Sequence, residues 1–342
     1  MLNINNKKYN YIALDLGTSQ TSAYIEGFGI IFDEPSLMSF DIKTNKIIAI
    51  GNESKKHIGT GLENIKIMRP LKNSVITSFD LVQTFITEIF KKFNEEKNTN
   101  IWKDSIVTIT APAGLTDMEK TAIENVCKKL GAIYVYVEDS SLMAAFGAGE
   151  NIFESGEATI ILDFGGGTAN CSIISAGNIV VSKSANFSST TVDEEIKKYV
   201  KSCHNISIGL NTAEKIKMEI GSLWKGKRNK SMKVYGRDVV SGMPEQFELK
   251  EDEIRRLIVA LFNNVIVLIT EVLEKTPSEL TESIIEKGIL VVGAGSLIVG
   301  FEEFINSVTD IKTRKVNNPV SAVIEGCIMY KKRIIKELSE KI

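Results

Sequence analysis

The chain has 342 residues, 43% of them hydrophobic, with 41 Lys+Arg against 43 Asp+Glu and a formal net charge of −2. That length allows about two domains, and the apolar share supplies enough burial to exclude a disordered chain. The near-neutral charge argues against a polyanion-binding surface, so no nucleic acid is expected, and the only two histidines, His57 and His204, exclude a multi-His metal or relay site.

Met1 to Asn10 is polar and lacks the apolar centre of a signal peptide, so a cytoplasmic protein is expected. A strand-like run, Tyr11 to Leu14, ends in Asp15-Leu16-Gly17-Thr18. A β-rich run from Thr21 to Ile31 follows at once, which puts Gly17-Thr18 at a hairpin turn. Residues 33–75 mix short strands and turns. Apolar spacing predicts a helix over 79–94. Ser105 to Thr110 reads as a strand, broken by Ala111-Pro112-Ala113-Gly114. Thr116 and Glu119 then form the capping box of a helix that ends near Gly131. A strand over 133–137 and a short helix over 141–148 come next.

The opening pattern then returns. Thr159 to Leu162 is an apolar strand that ends in Asp163-Phe164-Gly165-Gly166-Gly167-Thr168, with a β-rich stretch to Ser182 behind it. The unit of apolar strand, Asp, Gly, Thr and next strand thus occurs twice, about 150 residues apart. It implies two related domains, each presenting one Asp-Gly-Thr hairpin, and no Pro- or Ser-rich linker separates them. Helical spacing covers 191–203 and 212–222, a polar β-prone stretch fills 231–249, and a long helix covers 251–275. Within that helix the uncharged run from Leu257 to Thr270 is too short for a bilayer. Its apolar positions, Ile254, Ile258, Phe262, Val265, Leu268 and Val272 among them, recur at the spacing of a core-facing helix. Ile289 to Val292 is a last strand, ending in Gly293-Ala294-Gly295-Ser296. Cys127, Cys171, Cys203 and Cys327 form no C-x-x-C pair and read as buried thiols of a reducing cytosol rather than a disulfide frame.

Gly-rich turns after apolar strands bring backbone N–H groups close to an anion. Two such hairpins, with Thr hydroxyls as further donors, suit a triphosphate. An Asp at each strand end suits Mg²⁺, held directly or through water. The Gly293 turn leads toward a helix, whose dipole favours an anion or the edge of a base. Glu214 and Lys217 share one helix face. Read functionally, the Lys stem packs on a base and the Glu accepts from ribose hydroxyls; read structurally, they are an exposed ion pair. Neither a P-loop nor G-x-G-x-x-G occurs.

These features together resemble the actin-like ATPase superfamily and, within it, the MreB bacterial actins. The resemblance spans nearly the whole chain. It runs through Asp15-Leu16-Gly17-Thr18, Asp33-Glu34-Pro35-Ser36, Ile67-Met68-Arg69-Pro70-Leu71-Lys72, Ala111-Pro112-Ala113-Gly114-Leu115-Thr116, Gly147-Ala148-Gly149 and the 163–168 hairpin. It continues through Thr212-Ala213-Glu214-Lys215-Ile216-Lys217, Gly236-Arg237-Asp238, residues 274–280 and Gly293-Ala294-Gly295. It implies an α/β fold of two RNase H-like domains, cut into four subdomains around a nucleotide cleft. Subdomain IA would take 1–32, 75–140 and 318–342; IB 33–74; IIA 141–181 and 247–317; and IIB 182–246. ATP or ADP would be bound by Asp15, Gly17, Thr18, Ser19 and Gln20 from the first loop and by Gly165, Gly166, Gly167 and Thr168 from the second. Glu214, Lys217 and the turn of Gly293, Ala294, Gly295 and Ser296 would meet the adenosine. Asp15 and Asp163 would hold Mg²⁺, largely through water, with Asp163 also catalytic. Family members polymerise into paired protofilaments, usually on the inner membrane face, so self-assembly and partnership with other MreB paralogues are expected.

Three positions depart from the family pattern. Counting back from Gly147, Ser140 falls where the family has its water-positioning Glu and Ser141 where it has Pro, with Asp139 one residue off. A Ser hydroxyl can hydrogen-bond a water but is no general base at neutral pH, and losing such a base removes about 10²–10⁴-fold of rate. Thr168-Ala169-Asn170 replaces Thr-Thr-Glu, so Ala169 implies a lost hydroxyl near the γ-phosphate. Ser188-Ser189-Thr190 replaces Gly-Gly-Asp in a loop that meets sugar and phosphates through backbone, where Cβ atoms would alter affinity or closure. Two readings follow: neutral drift around an intact ATPase, or nucleotide binding with slowed hydrolysis.

The tail, 331–342, puts Ile334, Ile335, Leu338 and Ile342 on one helical face beside five basic residues. It suits either peripheral contact with anionic lipid or packing on the body. Finally, 34 of the 41 cationic residues are Lys. With the divergent site, this bias resembles the MreB paralogues of wall-less, helical swimming bacteria of the spiroplasma type, whose filament would serve cell shape and motility. The alternative is a fully active ATPase that organises cell-wall synthesis. An Hsp70-type chaperone is disfavoured because only about 45 residues follow the Gly293 turn, and a sugar kinase because no motif supplies a carboxylate for the substrate hydroxyl.

Overall fold

The computed structural model describes residues 2–4, 7–72, 75–111, 115–226 and 230–341. The chain divides into two compact units: residues 1–155 with 320–342, and residues 156–319.

Unit 1 opens with β1 (Leu2–Ile4), β2 (Lys7–Leu16), β3 (Gln20–Ile25) and β4 (Gly29–Pro35). The run expected as one β-rich stretch over 21–31 is broken between β3 and β4, where Gly27 and Gly29 take φ of +85° and +81°, a region closed to most residues that carry a Cβ. The expected small strands follow as β5 (Met38–Asp41), β6 (Ile47–Ile50), β7 (Ile65–Met68), β8 (Leu71–Lys72) and β9 (Val75–Ile76), with α1 (Gly51–Lys56) among them. Then come α2 (Phe79–Lys97), β10 (Ser105–Ala111), α3 (Asp117–Leu130), β11 (Ala132–Asp139) and α4 (Ser140–Gly147). The Thr116–Glu119 capping box forms as expected; Pro112, Ala113 and Gly114 lie outside the described residues.

The main sheet of unit 1 has the order β11-β10-β2-β3-β4, with β1 on β2. β11, β10 and β2 run parallel, and the two hairpins β2–β3 and β3–β4 are antiparallel. Alternation along β2 divides its labour. Ile12, Leu14 and Leu16 join Val82, Phe85 and Phe90 of α2 and Ile123 and Val126 of α3 in one core. Tyr11, Ala13 and Asp15 occupy the other face.

Unit 2 contains β12 (Thr159–Phe164), β13 (Ala169–Ser175), β14 (Asn178–Ala185), α5 (Ser189–His204), β15 (Ile206–Ser207) and α6 (Leu210–Ile220). They are followed by β16 (Ser231–Asp238), β17 (Pro244–Lys250), α7 (Glu251–Leu273), α8 (Thr281–Lys287), β18 (Ile289–Val292), α9 (Phe301–Thr309) and β19 (Thr313–Lys315). The order β14-β13-β12-β18-β19 repeats that of β4-β3-β2-β10-β11 strand for strand. The directions repeat too, with β12, β18 and β19 parallel and the β12–β13 and β13–β14 pairs antiparallel. The doubled sequence motif is therefore a doubled topology. α7 is long and apolar enough for a membrane by length and composition alone. Its stripe of Ile254, Ile258, Phe262, Val265, Leu268 and Val272 lies in the core of unit 2.

The last helix, α10 (Ala322–Lys341), returns to unit 1 and crosses α4. A Cβ on Gly147 would lie 1.9 Å from the Ala322 carbonyl oxygen, and one on Gly326 1.9 Å from that of Met143. This close crossing packs α4 on α10 within unit 1, and the two units divide at 155/156. Ile334 and Leu338 are buried. Ile335 is half-buried and Ile342 lies outside the described residues, while Lys332, Arg333 and Lys336 are exposed. Of the four cysteines expected to be buried, Cys203 is exposed.

Candidate functional site: two phosphate loops

Register places Glu138, Thr110, Asp15, Ser22 and Asp33 in one line across β11, β10, β2, β3 and β4. The line lies at the carboxyl ends of the parallel strands, where α/β sheets bind ligands. Thr110 Oγ1 donates to Asp15 Oδ1 at 2.8 Å. Burial pushes the Asp15 carboxyl up to about 6; the Thr110 bond opposes this and the charge of Asp33 adds to it.

The folded chain therefore holds this proton between pH 3.8 and about 6, where an unfolded chain releases it. Stability contributed by Asp15 falls as pH rises through that window. Asp15→Asn, neutral throughout, should stabilise the nucleotide-free protein at pH 7 by about 1–2 kcal/mol, less than the full shift because the side chain is partly exposed. Urea unfolding at pH 4.5 and pH 7 checks this; an identical pH response in variant and wild type would contradict it.

In the first loop, a Cβ on Gly17 would fall 2.4 Å from Gln20 O, so the turn needs glycine. Ser36 Oγ donates to Gly17 O at 2.6 Å and the Ser36 N–H to Ser19 O at 3.0 Å. The Arg69 guanidinium donates to Thr18 O at 3.4 Å. Gln20 Nε2 donates to Asp33 Oδ1 at 2.7 Å, which engages a side chain expected at the nucleotide. Neither Ser36 nor Arg69 was singled out by sequence, although both fall in stretches that carry the resemblance.

Ser140 is the first residue of α4. Asp139 Oδ1 accepts from the N–H groups of Ser141 (2.8 Å) and Leu142 (3.4 Å), capping that helix. Burial raises the Glu138 carboxyl above its ordinary range, against a hydrogen bond from Tyr330. The two carboxylates that precede Ser140 are thus both engaged elsewhere.

In unit 2, Asp163 lines up with Val292, Asn170 and Ser184 across β18, β13 and β14. The Gly165 N–H donates to Thr168 O at 3.1 Å and closes the hairpin. Ser184 Oγ donates to Asn170 Oδ1 (2.6 Å), and Asn170 Nδ2 to Thr168 Oγ1 (3.3 Å). Ala169 pairs with Phe164, and both are fully buried in the core. Alternation therefore turns the Ala169 side chain away from the Asp163 row, in which Asn170 stands.

The Gly293 turn is packed onto this hairpin. A Cβ on Gly293 would lie 2.6 Å from Asp163 Oδ1, and one on Gly295 2.1 Å from Phe164 Cδ1. Gly293 also takes φ of +85°, so glycine is required there on two counts. Ser296 Oγ donates to Gly293 O at 2.7 Å and serves the turn itself; a short 3-10 stretch, residues 294–297, follows before α9. On α6, Glu214 is partly exposed, but Lys217 is only 8% exposed. Its ammonium contacts Ser189 and Asp193.

Asp15, whose charge is disfavoured by burial and by Asp33, suits a nearby cation. Among the described residues no group of three or more His, Cys, Asp or Glu could hold a metal by itself.

The MreB/Mbl protein family model matches residues 9–339. The cell shape-determining protein Mbl of Bacillus subtilis is 32% identical over 318 residues, covering 92% of this chain and 93% of that protein. The crystal structure of MreB 5 of Spiroplasma citri bound to AMPPNP superposes with a TM-score of 0.94 at 38% identity, covering 98% of this chain and 100% of that one. The ADP-bound structure of the same protein gives 0.91 over 97% and 98%. A MamK double helical filament shares the fold at 17% identity, with a TM-score of 0.76 over 95% of this chain and 99% of that one. The chain belongs to the MreB/Mbl family and has its actin-like fold.

Proposed function

We propose that this chain binds ATP with Mg²⁺ and polymerises into a cytoplasmic filament that determines cell shape, and that its ATP hydrolysis is slow. The observation that carries the reading is the doubled sheet with one Asp-Gly-Thr loop at the same place in each copy. The AMPPNP- and ADP-bound relative at 38% identity supports it. Asp15 and Asp163 hold the metal through water, and the amides of the two loops hold the phosphates. The strands within 33–74 and 182–246 support their assignment as subdomains IB and IIB.

Slow hydrolysis is supported at Ser140, because neither Glu138 nor Asp139 stands free to replace the missing base. A role in shape and swimming, alongside paralogues, is supported by the Lys bias and by the higher identity to the Spiroplasma citri protein than to the Bacillus subtilis one. A wall-organising ATPase is the alternative. Lipid contact by 331–342 would rest on its exposed basic residues alone.

High-speed pelleting with and without Mg-ATP, followed by electron microscopy, tests the function. Nucleotide-dependent pelleting with filaments in the resuspended fraction is expected. A chain that binds no nucleotide, or stays in the supernatant with Mg-ATP across a wide concentration range, would contradict it.

A further inference from the structure

Two carbonyls of the second phosphate loop are held from outside it. The Ser189 N–H donates to Gly165 O at 3.1 Å, and Thr190 Oγ1 donates to Gly166 O at 2.6 Å. Both donors stand in the turn that opens α5. That turn is anchored in its own right. Lys217 Nζ donates to Ser189 O (2.9 Å) and Ser189 Oγ (2.6 Å). The same ammonium lies 2.9 and 2.8 Å from the two Asp193 carboxylate oxygens. Lys217 and Asp193 are both buried.

A trans peptide points its C=O and the following N–H to opposite sides. Holding Gly165 O and Gly166 O toward α5 therefore aims the N–H groups of Gly166 and Gly167 away from α5. Three consecutive glycines without such a restraint would sample the widest backbone space of any tripeptide. Ordering them on binding would then cost conformational entropy.

Unit 1 repeats the arrangement. Ser36 follows β4 as Ser189 follows β14, and it bonds Gly17 O and Ser19 O of the first loop. β4 and β14 hold the same place in their sheets.

We propose that Thr190 and Ser189, backed by the Lys217–Asp193 pair, are positioning residues that preset the Gly166 and Gly167 amides for the phosphates of a nucleotide. This rests on the nucleotide reading above. It places Lys217 behind the phosphate loop rather than at the adenosine, and makes the Thr in place of the family's Asp a working part of the loop.

Binding of adenosine, ADP and AMPPNP to wild type and to Thr190→Val, Thr190→Ala and Thr190→Ser tests it. The Val and Ala variants should bind ADP and AMPPNP about tenfold more weakly, the scale of one hydrogen bond. Adenosine affinity should be unchanged, and the Ser variant should match wild type. Wild-type ADP affinity in the Val variant, a parallel loss of adenosine, or a Ser variant no better than Val would each overturn the proposal. Lys217→Met keeps the stem but releases Ser189, and should show the same split between phosphates and adenosine; it decides the matter if Thr190→Val melts early. A wild-type protein that binds neither ADP nor AMPPNP overturns the nucleotide reading and this proposal together. Binding by wild type with equal binding by the variants overturns this proposal alone.

Discussion

Ser140→Glu is expected to raise the rate of phosphate release by about 10²-fold, the lower end of what a positioned general base supplies. Ser140 opens α4, and its hydroxyl can orient a water but cannot take its proton. The neighbouring carboxylates do not fill the gap, since Asp139 caps α4 through the Ser141 and Leu142 amides and Glu138 is bonded by Tyr330. The substitution should be tolerated structurally, because a negative charge in the first turn of a helix is favoured by the helix dipole. Ser140→Gln controls for size and hydrogen bonding without basicity. Phosphate release by Mg-ATP filaments, measured for the three proteins at equal polymer mass, gives the result. A Glu variant no faster than wild type, or a Gln variant equally fast, would remove the case for hydrolysis slowed at this position.

Gly147→Ala and Gly326→Ala should each destabilise unit 1 by about 3 kcal/mol, the upper range for overpacking. Each added methyl would lie 1.9 Å from a carbonyl oxygen of the facing helix. A backbone oxygen cannot rotate aside as a side chain can, so the helices must separate. Separation would loosen the hydrogen bond from Tyr11 to Cys327 O and the burial of Ile334 and Leu338. For a unit of this size the melting midpoint should drop by roughly 6–12 °C. Calorimetry measures it, and an unchanged midpoint in both variants would show that the crossing opens without cost. Because α4 begins at Ser140, a shifted α4 should also change phosphate release.

Much of this protein was legible in its sequence. The paired Asp-Gly-Thr turns revealed the doubled domain, and the Thr116–Glu119 box marked the start of α3. These signals are local: a turn needs glycine where a Cβ would strike its own neighbour, as at Gly17, and a cap bonds three residues along. Helical spacing likewise separated the core stripe of α7 from its exposed side. Set against the pattern of the resembled family, counting back from Gly147 put Ser140 where a Glu was expected.

The facing of side chains within the two loops was not legible, because it depends on partners far along the chain. Strand alternation turns Ala169 into the core with Phe164 and leaves Asn170 beside Asp163. Lys217 was read either as a stem packed on a base or as half of an exposed pair, and Asp193, on another helix, holds its buried ammonium. The tail has an amphipathic pattern that fits lipid and protein equally, and the Gly147–Gly326 crossing packs its helix on unit 1 with Ile334 and Leu338 buried. Sequence by itself determined the strands, the turns, the doubling and the chemistry available at each turn, since these follow from residues a few positions apart. Tertiary structure alone decided which carbonyl each loop-holding hydroxyl takes and which way each loop amide points, since those bonds join residues about twenty positions apart and exist only once the sheet of that unit has formed.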